Sequence, residues 1–280
     1  MPPILRSLIA FLALASLAAS GAAERLCPGQ DVAPMADGRM LGHLPYAEAP
    51  TGTLVSAPAG FAIGAPCYVH RDMAPDLNRL LLAAKGTPGV GMALRAVSCF
   101  RSVEHQRLVF CSQIGPRKRC ANAAERARSV GPPGYSEHAT GYAIDFGARP
   151  LVGGCGDVNA CFAQTPAGRW LIAHAPEYGF ELSFPQGNAQ GVTWEPWHWR
   201  WVGISALEAG ADKARALFAR ARASFPAYPR TPDASPLLAP LPFAIPTPAP
   251  TPVINGVPIL PPKPKPAPPP SPKPDSPSVD

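Results

Sequence analysis

Two short segments of this chain concentrate its least common reactive side chains. The first is Ser136-Glu137-His138-Ala139-Thr140-Gly141-Tyr142-Ala143-Ile144-Asp145, and the second is Glu195-Pro196-Trp197-His198-Trp199-Arg200. His138, Asp145, Glu195 and His198 supply two imidazoles and two carboxylates in a chain with only six histidines. Neutral imidazole and carboxylate are good zinc ligands, and catalytic zinc takes three protein ligands with a fourth position open to water. His138 and Asp145 are seven residues apart, and Gly141 between them lets the backbone turn so that both converge. His198 comes from a separate predicted strand. Glu195 stands three residues earlier, where a tight turn through Pro196 brings its carboxylate near the metal's water. Zinc lowers the pKa of that water towards about 7, and a neighbouring carboxylate takes its proton and passes it to a leaving amine. The bland alternative gives each residue a structural duty, a satisfied core histidine or a turn-forming aspartate. Four such residues in two glycine- and aromatic-rich segments favour a site.

The two segments resemble the S-x-H-x-x-G-x-A-x-D and E-x-W-H motifs of the VanY-type D-alanyl-D-alanine carboxypeptidases, zinc metallopeptidases of family M15. The wider group includes D-alanyl-D-alanine dipeptidases and hedgehog-like folds. The resemblance spans roughly residues 77 to 203. It implies that His138, Asp145 and His198 hold one Zn²⁺ and that Glu195 is the general base. Ser98-Cys99-Phe100-Arg101-Ser102, followed by Gln106, is similar to the family's S-G-Y-R-S…Q segment, with Cys99 and Phe100 in place of the usual glycine and tyrosine. By that likeness Arg101 binds substrate and stabilises charge on the scissile carbonyl oxygen. Ser136 either hydrogen-bonds the substrate's terminal carboxylate or caps the turn before His138. Trp197 either walls the cleft or packs in the core, as tryptophans at strand spacing usually do. The implied activity is hydrolysis of the terminal D-alanine of peptidoglycan stem peptides. The alternatives are a D,D-dipeptidase or endopeptidase of the same family and a non-catalytic wall-binding module.

The elements that must position these residues follow from periodicity. Asp76 to Lys85 reads as a helix ended by Gly86, and Met92 to Ser98 alternates as a strand. Ser102 opens a second helix with Leu108, Val109 and Phe110 as its apolar side. Ala121 to Val130 is a short polar helix, followed by a loop forced by Gly131-Pro132-Pro133-Gly134. Tyr142 to Gly147 is a strand. Thr165, with Pro166 in the first turn, opens a helix to Tyr178 that Gly179 stops, and His174 on it faces solvent or core. Phe180 to Phe184 and Trp197 to Val202 are strands, and Ser205 to Ala223 is a long alanine-rich helix. Helices and strands do not alternate strictly, which predicts an α+β domain with a small antiparallel sheet flanked by helices.

The ends differ from this middle. Residues 1–23 read as a secretory signal peptide: Arg6, an apolar run from Leu8 to Ala18, then small residues. That run is shorter than the roughly 20 residues a spanning helix needs, so the sequence predicts an exported protein, periplasmic or secreted, with no stable membrane insertion. Residues 24–228 form the domain. Residues 229–280 hold about half of the chain's 39 prolines and read as a disordered, polyproline-like tail. The tail binds a wall or proline-recognising partner, or is a solvated spacer, and its apolar patch Leu237 to Ile245 docks back on the domain in one reading. The net charge of +6 has one dense cluster, Arg117-Lys118-Arg119 with Arg126 and Arg128. No helix joins basic residues to stacking aromatics, so nucleic acid is not an expected partner. The cluster is a solvated loop or meets an anionic wall polymer.

Seven cysteines in an exported chain read as disulfides. Short spacing suggests Cys155–Cys161 and Cys111–Cys120, then Cys27–Cys67, leaving Cys99 odd.

Overall fold

The computed structural model describes residues 22–232, together with the backbone of two short antiparallel strands, Val253–Ile254 and Val257–Pro258. The expected leader up to residue 21 and the apolar patch at 237–245 lie outside the described residues. A hairpin opens the domain, β1 (Glu24–Cys27) against β2 (Gln30–Val32), and a second pairs β3 (Leu54–Ser56) with β4 (Tyr68–His70). Helix α1 (Ala74–Lys85) begins with a proline in its first turn and buries Leu77, Leu80 and Ala84 along one stripe. Strand β5 (Leu94–Ser98) leads to α2 (Val103–Cys111), where the Ser102 hydroxyl accepts the His105 N–H at 3.1 Å. Helix α3 (Ala123–Ala127) is capped by Asn122. Strand β6 (Ala143–Ala148) precedes α4 (Pro166–His174), capped by Thr165, and β7 (Phe180–Leu182) and β8 (His198–Trp201) follow. Helices α5 (Ala211–Leu217) and α6 (Ala219–Ser224) close the domain.

The central sheet has the order β5-β6-β8-β7, each neighbouring pair antiparallel. This is the expected α+β architecture with a small antiparallel sheet. Strand side chains alternate between faces, and that period of two separates core from site. Ile144, Phe146, Trp199 and Trp201 join the main apolar cluster with Leu77, Leu80 and Phe180. Asp145, His198 and Arg200 occupy the alternate positions and are buried on the other side. Asp145 on β6 is directly opposite His198 on β8.

Three expectations are corrected. The disulfides are Cys27–Cys111, Cys67–Cys99 and Cys155–Cys161, and Cys120 is a buried free thiol. The N-terminal hairpin packs on α2, which brings Cys27 to Cys111 with a Cα separation of 5.6 Å across 84 residues. Phe100 N–H donates to the Tyr68 carbonyl at 3.0 Å, so the chain before β4 runs beside Cys99 and bridges it through Cys67. The alanine-rich helix from Ser205 is shorter and broken: Gly210 adopts a left-handed conformation (φ 80°) and Phe218 interrupts the helix. Phe218 is fully buried against Tyr46 and Tyr142, so its packing overrides the helical propensity around it. The helix expected to run to Tyr178 becomes a 3-10 turn over Ala175–Tyr178, where Pro176 cannot donate.

Candidate functional site

A 3-10 turn, Glu137–Thr140, carries His138 and ends at Gly141 with φ 72°. Only glycine fits there, because a Cβ would stand 2.8 Å from Leu54 Cδ2 and 3.2 Å from the His70 nitrogen. The turn is tied to the segment before α2 twice. Arg101 N–H donates to the His138 carbonyl at 3.2 Å, and His138 Nδ1–H donates to the Cys99 carbonyl at 2.7 Å. That second bond fixes the tautomer and leaves His138 Nε2 as the bare nitrogen, 3.0 Å from Asp145 Oδ2. His198 Nδ1 is 2.9 Å from Asp145 Oδ1. One donor atom from each of His138, Asp145 and His198 lies within 4.8 Å of the others, and all three residues are buried. Two imidazole nitrogens and one carboxylate oxygen, none committed to the backbone on the facing side, form a set that fits a zinc ion.

The other nitrogen of His198, Nε2, is 2.9 Å from Glu137 Oε2. The motif-based reading missed Glu137. Its carboxylate also accepts from Ser183 Oγ at 2.6 Å, Arg200 Nη1 at 2.8 Å and Tyr46 Oη at 3.3 Å. Arg200 in turn bonds Glu181 at 2.8 Å. No sequence signal marks Glu137, because Ser136, His138 and Thr140 around it are polar too and only the fold buries its carboxylate among partners.

These contacts set the protonation states. Burial disfavours the His198 imidazolium, but its bonds to Asp145 and Glu137 outweigh that and push it up to about 10. Burial, then Arg101, lowers His138 to about 4 despite Asp145. Burial raises Glu195 to about 8, with His198 and Arg101 pulling against it and Asp145 and Glu137 adding to it. Asp145, although buried, is held well below the carboxylate range by His138 and His198.

The remaining sequence-predicted residues meet in one cleft of about 660 Å³, lined among others by Arg101, Ser136, Glu195 and Trp197 with the three donor residues. Glu195 and His198 are joined by a turn, His198 N–H to Glu195 carbonyl at 3.0 Å. Arg101 has its Nη2 3.9 Å from Asp145 Oδ2, and its buried Nε has no protein partner. The Ser136 side chain makes no capping bond to the turn it precedes. Trp197 is buried in the main apolar cluster with Trp199 and Trp201 and, unlike them, also lines the cleft. Gln106 donates to the Gly131 carbonyl at 2.6 Å and holds the loop beneath the cleft. His174 faces solvent beside Glu177. No helix among the described residues is long and apolar enough to cross a membrane.

The chain is 33% identical over 151 residues to YodJ of Bacillus subtilis, covering 52% of this chain and 50% of YodJ. It is 28% identical over 141 residues to VanXYC of Enterococcus gallinarum, a bifunctional D-Ala-D-Ala dipeptidase and carboxypeptidase, covering 49% of this chain and 68% of that protein. The chain therefore spans half the length of the first of these relatives. Among solved structures, the LdcB LD-carboxypeptidase superposes with a TM-score of 0.49 at 28% identity, over 63% of this chain and 81% of that one. Residues 66–204, which contain His138, Asp145, Glu195, His198 and Arg101, match the family model described as D-alanyl-D-alanine carboxypeptidase, VanY.

Proposed function

We propose that this chain is an exported, zinc-dependent D,D-carboxypeptidase that removes the terminal D-alanine from peptidoglycan stem peptides. The observation that carries the reading is the convergence of His138, Asp145 and His198 donors within 4.8 Å, in the cleft that also holds Glu195 and Arg101. In this reading the three residues hold one zinc ion, which when bound supplies a Lewis acid and lowers the pKa of water towards about 7. Glu195 is the proton carrier. Its burial keeps the carboxyl's proton affinity near neutrality, at about 8, where it can accept a proton from water and return it to the departing D-alanine amine. Arg101 brings a buried Nε donor that no protein group satisfies, suited to an oxygen on which charge builds. The uncommitted Ser136 hydroxyl binds the terminal carboxylate, and Trp197 walls the substrate. Glu137 accepts from His198 Nε2 and orients the ring, as outer carboxylates do for ligating histidines.

The test is release of D-alanine from a pentapeptide ending in D-Ala-D-Ala by the purified protein, with chelator and then zinc added back. Release that stops with chelator and returns with zinc is expected, and Glu195→Gln should bind zinc while losing roughly 10²–10⁴-fold in turnover. Undiminished hydrolysis by Glu195→Gln would remove that residue from the mechanism. Absence of release from the pentapeptide, with dipeptide D-Ala-D-Ala hydrolysed, would replace the carboxypeptidase reading with a dipeptidase one.

A further inference from the structure

The basic cluster read in the sequence as a solvated loop is not wholly on the outside. Arg119 and Arg126 line the same cleft as the donor triad, next to Gln113 and Ser129. Arg126 is buried, and its guanidinium donates to the carbonyls of Phe110 at 3.3 Å and Val109 at 3.0 Å. Burial lowers its proton affinity, the neighbouring Cys120 thiol works against that, and the like charges of Arg119 and Arg101 add to the lowering. Among the described residues, no carboxylate lies within ion-pair reach of Arg119 or Arg126.

Two of the three acids lining the cleft are engaged elsewhere, and the third, Glu195, makes no ion pair with either arginine. Glu137 is paired with Arg200, and Asp145 lies between His138 and His198. Arg101 Nη2 is 3.9 Å from Asp145 Oδ2, whereas Arg119 and Arg126 line the cleft without an ion pair to any donor of the triad. Arg126 has two carbonyls and the Cys120 thiol as neighbours but no carboxylate, and a buried cation lining a cleft without an acid gains from an anionic ligand.

We propose that Arg119 and Arg126 form a carboxylate subsite in this cleft, remote from the bond to be cleaved, that selects peptides bearing a free carboxylate on a side branch. This rests on the peptidase reading above and names the substrate class within it: acidic stem peptides, in preference to those whose branch is an amide or an amine.

The experiment uses two acetylated tripeptides, Ac-Glu-D-Ala-D-Ala and its isosteric partner Ac-Gln-D-Ala-D-Ala, on the zinc-loaded protein. The glutamate peptide should have a kcat/KM about tenfold higher, the size expected for one charge-assisted hydrogen bond. In Arg119→Gln, an exposed position where folding is not at risk, that ratio should fall towards one. Arg126→Gln should do the same provided its melting temperature shows it folded. Equal kcat/KM for the two peptides in the unaltered protein would overturn the proposal, as would a ratio that both variants preserve. A third peptide, Ac-Gln-D-Ala-D-Ala with a C-terminal amide, separates the two carboxylate sources. If Arg119→Gln erases the difference between terminal acid and terminal amide instead, the arginines belong to the terminal anchor and the side-branch subsite falls. Calorimetric binding of the glutamate and glutamine peptides to chelator-treated protein reads the subsite without turnover. Tighter binding of the glutamate peptide, lost in Arg119→Gln, supports the subsite even if neither peptide is hydrolysed, in which case it is the peptidase reading that fails.

Discussion

Both ring nitrogens of His198 lie 2.9 Å from carboxylate oxygens, one of Asp145 and one of Glu137. In the metal-free protein this keeps the ring charged to about pH 10, against an ordinary 6.5. A raised folded-state value gives stability that is complete below 6.5 and lost as pH climbs through 10. Glu195, raised from 4.5 to about 8, acts in the same sense: its stability is complete below 4.5 and lost by pH 8. Below 6.5 the lowered His138 opposes the trend, so the clean window is pH 6.5 to 10. The melting temperature of chelator-treated protein should fall steadily across that window. Glu195→Gln should make the fall below pH 8 shallower, with the His198 contribution remaining, and leave the part above it unchanged. A melting temperature independent of pH over the window would contradict these charge states. Glu137→Gln tests the outer contact separately: zinc affinity, measured by competition with a chromophoric chelator, should weaken about 10–100-fold. Unchanged affinity would leave Glu137 a structural partner of Arg200, Ser183 and Tyr46 with no part in zinc binding. The four reactive residues were legible because histidine is scarce and their spacing is distinctive. Glu137 was not, since no periodicity or cap distinguishes a buried carboxylate from the exposed one expected at most positions.

At the scale of elements, what the sequence revealed was governed by local chemistry. Ser102 and Thr165 announce α2 and α4 because a hydroxyl at that position satisfies an orphan N–H, and both do so at about 3.0–3.1 Å. The β1–β2 and β3–β4 hairpins escaped notice because their strands have only three or four residues, too short for an alternation to register. The break in the C-terminal helix was hidden for another reason: Phe218 is decided by tertiary packing. Gly141 shows how an element can hold a site together. It ends the turn bearing His138 and starts the path to Asp145, with φ 72° and almost no room for a Cβ. Gly141→Ala should destabilise the fold by more than the roughly 1–2 kcal/mol that a left-handed alanine costs, since Leu54 and the His70 backbone must also move. The same displacement should weaken zinc binding by pulling His138 away from Asp145. Denaturant melts and a zinc titration read the two effects, and a variant as stable as the parent would show that the turn adapts freely.

For the whole molecule, two apolar clusters divide the work. The larger one surrounds the central sheet, and a smaller one joins Leu26 and Cys27 of the first hairpin to Phe110, Ala123 and Tyr135. The Cys27–Cys111 bridge lies in the smaller cluster. Spacing favoured short loops and so mispaired Cys111, because which surfaces meet is a property of the assembled chain. The C-terminal boundary obeys the same logic. β7 is the edge of the sheet, and residues beyond α6 return to cover it: Tyr228 N–H donates to the Leu182 carbonyl at 3.2 Å, and Leu182 N–H to the Pro229 carbonyl at 3.0 Å. Thr231 is fully buried. A chain ending at Ala227 leaves that edge unpaired and exposed to other strands, whereas one ending at Pro232 keeps both bonds and the buried Thr231. Two hydrogen bonds at about 0.5–1.5 kcal/mol each, and about 2–4 °C per kcal/mol for a domain of this size, put the shorter form several degrees below the longer in melting temperature. The form ending at Pro232 should match the full chain in melting temperature and in D-alanine release. Should the form ending at Ala227 melt with it, the returning segment contributes nothing to the domain; should the form ending at Pro232 lose activity instead, the proline-rich remainder takes part in substrate handling.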